Sequence, residues 1–255
     1  MISAPEEINQ DSTSSGVRSP QLSIVIPARN EEEYLPRCLD AIEASLAMAK
    51  LTAEVVVVLN RCTDRTEEIA CERGCVIVRS EAKNLASIRN TGVRSSSAPW
   101  VVTVDADSQV SKNMFLEISR VLSSQQSVGG GVLILAERYS LGIILTACFL
   151  LPYVLFERLA GGLFFFTREA FEAIDGFDES FHSVEDIDFA RRLKRYGSSI
   201  GKKFTMLFRA HIVTSTRKFD RLGDWYFIKR PLLLWKLLHN RDPEESRKFW
   251  YDFER

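Results

Sequence analysis

The chain has 255 residues, 45% of them hydrophobic and 26% charged. That composition excludes a small disulfide-stapled module, wholesale disorder and a multi-span membrane protein. The formal net charge of -1 hides an asymmetry, because residues 191–255 carry +10 and the preceding 190 residues carry -11. An acidic front and a basic tail suggest a cation site followed by a surface that meets phosphates or anionic lipid, or simply a solvated basic face.

Residues 1–20 are rich in Ser, Thr, Pro, Glu and Gln and read as a flexible tail. They contain no apolar run resembling a secretory signal. The five cysteines form no CxxC pair, which fits reduced thiols in a cytoplasmic compartment.

From residue 22 the chain alternates in kind. LSIVIPA (22–28), EVVVVLN (54–60), CVIVRS (75–80) and WVVTVDAD (100–107) are continuous apolar runs of strand type. Helical patterns follow each: a long one after Asn30 with three glutamates in its first turn, a short one stopped by Gly74, one over 85–97 and one over 114–122. Strands buried on both faces and alternating with helices predict an α/β domain with a mostly parallel sheet flanked by helices. Ligands of such a sheet gather at the carboxyl ends of its strands.

The second half is less regular. GVLILAE (131–137) and LFFFT (163–167) read as strands, 168–174 as a short helix, 184–196 as a helix closed by Gly197, and 203–213 as one or two strands. Residues 221–239 read as a final amphipathic helix within a basic extension spanning 216–255. The uncharged run from Tyr139 to Phe156 has the length of a minimal membrane span. A crossing there would separate the acidic motifs at 105–107 and 185–186 onto opposite faces, so a packed or interfacial helix over 139–160 is expected. WYFIKRPLLLWKLL (225–238) mixes aromatic anchors with basic groups, as peripheral membrane segments do.

Several residues carry chemistry. Asp105 and Asp107 stand on alternate positions where the fourth strand ends, offering hard oxygen ligands suited to Mg²⁺ or Mn²⁺ that also bind phosphates. An acidic pair in a turn is the plainer alternative. Glu185 and Asp186 open a helix, where Asp186 is either a base for a hydroxyl or, with Ser183, part of a capping box. Asn60 and Asp64 follow the second strand on the same edge, although Thr63 or Asp64 could simply cap the next helix. Arg89 and Asn90 lie in a helix whose start faces that edge, where an arginine meets a diphosphate or makes a surface salt bridge.

PARNEEEYL (27–35), NRCTDRT (60–66), SIRNTG (87–92), VDAD (104–107), GGLFFFTREAFEAIDGFDE (161–179) and EDIDFARRLKRYG (185–197) occur in that order. Together, across 21–215, they resemble the family 2 glycosyltransferases of GT-A fold. The resemblance implies a Rossmann-like sheet, a nucleotide-sugar donor, a divalent metal (Mn²⁺ or Mg²⁺) and inversion at the anomeric carbon. It places Pro27, Ala28, Asn30, Glu31, Asn60, Asp64, Arg89, Asp105 and Ala106 on the donor, with Asp64 at the nucleoside base. It gives Asp107, with Asp105 and His211, to the metal. Asp186 becomes the general base with Glu185 orienting it, and Gly162, Arg217 and Lys218 lie toward phosphate or acceptor.

Three departures stand out. Asn60 occupies a position where many relatives carry aspartate, the usual glycine is missing before SIRN, and no QxxRW motif follows the acidic pair. The last argues for a single transfer rather than processive synthesis, and IVTSTRKFDRLGDW (212–225) instead resembles a TS-x-R-R/K stretch of smaller members. The expected reaction is hexosyl transfer from a UDP-sugar, or a GDP-sugar, to a hydroxyl on a lipid-linked or small-molecule acceptor. A membrane surface is a further partner and nucleic acid is not. The rival readings are a nucleotidyltransferase, which would carry a Gly-rich basic loop where PARNEEE stands, and a non-catalytic nucleotide-sugar-binding protein.

Overall fold

The computed structural model describes residues 19–157, 162–181 and 184–233. The expected tail, residues 158–160 of the apolar helix, Ser183 and the end of the basic extension beyond 233 lie outside them. The first half alternates β1 (Leu22–Ala28), α1 (Leu35–Ala49), β2 (Ala53–Leu59), α2 (Thr66–Glu72), β3 (Val76–Arg79), α3 (Leu85–Arg94) and β4 (Trp100–Val104). There follow β5 (Ser108–Val110), α4 (Met114–Ser123), β6 (Ser127–Ala136), α5 (Leu141–Glu157), β7 (Leu163–Thr167) and α6 (Arg168–Ala173). The described chain closes with α7 (Glu185–Ser199), β8 (Lys203–Thr214), α8 (Arg217–Leu222) and α9 (Tyr226–Lys229).

The strands form one sheet in the order β3-β2-β1-β4-β7-β6-β8-β5. β3, β2, β1 and β4 are parallel, as their apolar runs predict. Beyond β4 the directions mix: β7 is antiparallel to β4 and β6, β5 is antiparallel to β8, and β6 is parallel to β8, so the sheet is mostly parallel as expected. A fully buried LFFFT run looks the same in either direction, because both of its faces are covered and no alternation betrays its partner.

Alternate side chains of β1 enter two cores. Ile24 and Ile26 join Leu35, Ile42, Phe115 and Phe165 on the α1–α4 side. Val25 joins Val58, Ile88, Phe164, Phe166, Phe177 and Phe189 on the α3–α7 side. That second core is aromatic, with Phe177 stacked on Phe189 at 3.9 Å between centroids. α3 lies close on the sheet through Gly92, where a Cβ would stand 2.4 Å from Val25 Cγ1 and 2.6 Å from Val58 Cγ2.

The single helix expected over 221–239 is broken among the described residues, which end at 233. α8 ends at Leu222, Gly223 takes a positive φ of 87°, and α9 stops at Lys229. Gly223 has no Cβ to resist that turn, and Arg230 precedes Pro231, which disfavours helical geometry at the residue before it. Conversely, the segment 203–213 is one bulged strand rather than two, with its register shifted between Val132 and Leu133 of β6.

Candidate active site

The carboxyl ends of β1, β2 and β4 lie side by side, so the loops that follow them share one edge. The first two loops are laced together by hydrogen bonds that cross the sheet. Asn30, at φ 52°, accepts from the Thr63 amide through Oδ1 at 2.8 Å. The Glu31 amide donates to Thr66 Oγ1 at 2.8 Å, the Glu32 amide to Asp64 Oδ2 at 3.0 Å, and the Arg65 amide to Glu32 Oε2 at 3.0 Å. Asp64 also accepts from the Thr66 amide and hydroxyl at 3.1 and 2.6 Å. Partial burial alone would raise the Asp64 carboxyl, but these donors outweigh it and hold it below its ordinary value. Asp64 is therefore an ionised brace between two loops on the ligand edge.

Asn60 is committed to the fold. Its Nδ2 donates to the Ser80 and Ala82 carbonyls at 2.7 and 2.8 Å, and only 3% of the residue is exposed. An aspartate has no N–H to offer either carbonyl, which accounts for asparagine at this position. Pro27 and Ala28 lie inside the buried strand β1, and the Ala28 carbonyl accepts from the Asn60 amide at 2.8 Å. These three residues shape the edge from within and do not present free polar side chains to it.

The acidic motifs meet through Arg89. Rather than making a surface salt bridge, this arginine is 4% exposed; its Nη2 reaches Asp105 Oδ1 at 2.9 Å and its Nη1 reaches Glu185 Oε1 at 3.1 Å. Its guanidinium also lies over the Phe177 ring at 5.6 Å. One buried cation thus joins the end of β4 to the start of α7. Ala106, between the two aspartates, is buried.

Asp186 follows Glu185 at the first turn of α7. The N-cap is Val184, with no side-chain cap bond, and the capping alternative through Ser183 lies outside the described residues. Val184 sits at φ 58°, a left-handed conformation costly for a β-branched residue and concentrated at functional sites. Burial, followed by the neighbouring Asp186 charge, lifts the Glu185 carboxyl from 4.5 to about 7, while Arg89 pulls the other way. Burial raises Asp186 as well, again opposed by Arg89. The pair shares a desolvated, electronegative pocket and holds protons more tightly than ordinary carboxylates.

Asp107 is engaged from the far end of the chain. Arg217 Nη1 and Nη2 grip Glu31 at 2.7 and 2.8 Å, and Nη2 also reaches Asp107 Oδ2 at 3.0 Å. Glu31 is 2% exposed, and Tyr34 supports the guanidinium face at 4.9 Å. This bidentate pair joins residues 186 apart in sequence, and no local spacing announces it. Lys218 follows directly on α8. Gly162, at φ 82°, precedes the Val104–Leu163 pair and so lies beside Asp105; a Cβ there would stand 2.9 Å from Ile212 Cδ1.

His211 lies along β8 away from Asp107. Its backbone pairs with Ser111, and Asp107 bonds instead to the amide of Ser215, four residues along. At about 3.4 Å per residue that offset is roughly 13 Å. No group of three or more His, Cys, Asp or Glu side chains is arranged to hold a metal among the described residues. The two aspartates still suit a hard cation of the Mg²⁺ or Mn²⁺ kind, which takes few protein carboxylates and completes its shell with substrate phosphates and water.

The sequence matches the model of "Glycosyl transferase family 2" over residues 23–132 and that of "N-terminal domain of galactosyltransferase" over 150–215. The chain carries a family 2 glycosyltransferase domain. A similar protein is the low-salt glycan biosynthesis hexosyltransferase Agl6 of Haloferax volcanii, 38% identical over 65 residues, which cover 26% of this chain and 16% of that protein. The uncharacterized glycosyltransferase EpsJ of Bacillus subtilis is 29% identical over 112 residues, covering 42% of this chain and 32% of that one. The matches span only 14% to 36% of the length of such relatives.

Solved structures extend the fold likeness along most of the family 2 domain. The mannosyltransferase PcManGT of Pyrobaculum calidifontis, in complex with GDP-Man and Mn²⁺, superposes with a TM-score of 0.61 at 18% identity, covering 88% of this chain and 61% of that one. The GT-A architecture is thereby shared.

Proposed function

We infer that the domain moves a glycosyl group from a nucleoside diphosphate sugar to an acceptor hydroxyl, with inversion and one transfer per encounter. A UDP-sugar is favoured, with a GDP-sugar as the alternative, and the acceptor is a lipid-linked or small-molecule alcohol. The observation that carries this reading is Arg89, which ties Asp105 and Glu185 into one buried constellation on the sheet's ligand edge. Two buried guanidinium N–H groups on the adjoining segments, Arg61 Nε and Arg89 Nε, lack a partner among the described residues. An anionic ligand would satisfy such donors.

In the inverting step the acceptor oxygen bonds to the anomeric carbon as the bond from that carbon to the diphosphate oxygen breaks. The electron pair leaves with the nucleoside diphosphate and the acceptor proton passes to Asp186. A partly buried carboxylate with a raised proton affinity is a stronger base than one in water, which is the property the step requires. Glu185 and Arg89 fix the start of α7 and so hold Asp186 in place. Asp64 and Asn30 brace the two loops that would flank the nucleoside. Asp107, with Asp105, would hold a Mn²⁺ or Mg²⁺ ion, whose charge when bound offsets that of the diphosphate. Arg217 and Lys218 bring further positive charge to the same edge.

Substituting Asp186→Asn tests the assignment. Losing a general base lowers turnover on the order of 10²–10⁴-fold, while the isosteric amide leaves folding and nucleotide affinity near normal. Turnover close to that of the unaltered protein would remove Asp186 from the chemistry.

A further inference from the structure

The face formed by α5 and α9 takes no part in the chemistry above. Between Tyr139 and Phe156 there is no charged residue, whereas a helix on the surface of a water-soluble domain turns its charged side outward. From Leu141 to Leu151 only Gly142, Ile143 and Thr146 are buried. Leu141, Ile144, Leu145, Phe149 and Leu151 are exposed, Leu141 by 64% and Phe149 by 57%.

α9 extends this surface. A Cβ on Gly142 would stand 2.5 Å from the Asp224 carbonyl oxygen, so α5 meets the turn between α8 and α9 with no space between them. Arg138, just before α5, clasps the same turn through Asp224 Oδ1 at 2.7 Å and Asp220 Oδ1 at 2.8 Å. Trp225, Ile228 and Leu232 are exposed beyond it. The result is a continuous apolar surface fastened to the domain by an ion-pair clasp. Patches of this kind mark interaction sites.

Charge selects the occupant. From Trp225 to Arg241 the sequence has four basic residues, Lys229, Arg230, Lys236 and Arg241, and no acidic one. On its N-terminal side the nearest acids, Asp220 and Asp224, are taken up by Arg138, and the next acid on the other side is Asp242. Lys229 and Arg230 are exposed beside Ile228. A second copy meeting this face about a two-fold axis would bring those cations toward their own counterparts. Negatively charged headgroups would meet them favourably, with the apolar side chains entering the acyl boundary. No helix of the described residues is long and apolar enough to cross a membrane.

We propose that the α5–α9 face docks on an anionic lipid bilayer, with α5 lying along the headgroup region. Seven residues separate Arg217, bound to Asp107, from Trp225 on the docking face. Docking therefore holds the catalytic edge near the bilayer and favours an acceptor borne by a lipid. That consequence rests on the glycosyltransferase reading; the docking itself does not.

The test is flotation of the full chain with phosphatidylglycerol-containing vesicles and with pure phosphatidylcholine vesicles, each at low and high salt. The double variants Phe149→Ser/Leu151→Ser and Ile228→Ser/Leu232→Ser change only exposed side chains, and circular dichroism with thermal unfolding checks that they stay folded. The proposal expects flotation with the anionic vesicles only, reversed by salt, and about tenfold or more weaker in both variants from the lost apolar area. It is overturned by a wild type that never floats, by variants that float equally well, or by attachment that withstands both salt and alkaline carbonate. A dimer that these substitutions dissolve, seen by light scattering without flotation, overturns it in favour of a second copy. Flotation is read without donor or turnover, so an inactive protein that floats contradicts the transferase reading alone.

Discussion

Replacing Arg89 with methionine removes the cation that joins the two acidic motifs while keeping an apolar stem over Phe177. The effect depends on pH, and its sign follows from Glu185. In the folded protein that carboxyl titrates at about 7 against an ordinary 4.5, raised by burial and the Asp186 charge with Arg89 opposing. Between those values the folded state keeps a proton that the unfolded state has released, so stability already falls as pH rises through this window. Without Arg89 the folded carboxyl moves higher still, and the fall continues above neutrality. Removing one partner of a buried ion pair leaves the other charge uncompensated. At about pH 5.5 most of that penalty disappears, because Glu185 is protonated and needs no counter-charge. The Asp105 side chain is 35% exposed and can turn to water. At pH 8, one unit above the wild-type value of about 7, ionisation of Glu185 is worth about 1.4 kcal/mol to the wild type, and the variant forgoes it. The variant should therefore trail the wild type by about 1 kcal/mol at low pH and by about 2–2.5 kcal/mol near pH 8. Urea denaturation at the two pH values measures both differences. A deficit that does not change with pH would refute the claim that Arg89 stabilises an ionised Glu185.

Asn60→Asp should destabilise the protein by about 2–4 kcal/mol, because a buried carboxylate would face the Ser80 and Ala82 carbonyls without a donor. Unchanged denaturation would mean that the Asn60 amide does not hold this loop. Gly92→Ala should cost about 1–3 kcal/mol through overlap with Val25 and Val58. Adding Val58→Ala should recover part of that loss, and simple additivity of the two substitutions would show that the contact is relieved elsewhere.

The parallel half of the sheet was legible because each of β1, β2 and β4 is a continuous apolar run followed by a helical period. Their shared carboxyl edge alone puts Asp64, Asp105 and Asp107 in one neighbourhood. The direction of β7 was not legible, since LFFFT is buried on both faces. The short strand β5 was hidden as well: three residues, SQV, have no periodicity of their own and exist because Thr214 and Val213 pair with them. The break between α8 and α9 could have been read from Gly223 and Pro231, which outweigh the amphipathic pattern around them. Arg89 was recognised as a residue of the ligand edge, but its buried double ion pair depends on α3 and α7 packing together. The Arg217–Glu31 pair and the offset of His211 depend on strand register across the whole sheet, which no local pattern encodes.

The central claim is that this edge binds a nucleoside diphosphate through a metal held by Asp107. Calorimetric titration of UDP and of GDP, each with and without Mn²⁺, into the wild type and Asp107→Ala tests it most directly. The account predicts binding of one of the two nucleotides that requires Mn²⁺ and is lost in Asp107→Ala, while the variant keeps wild-type thermal stability. Equal affinity of the two proteins for the bound nucleotide, or binding indifferent to Mn²⁺, would contradict it.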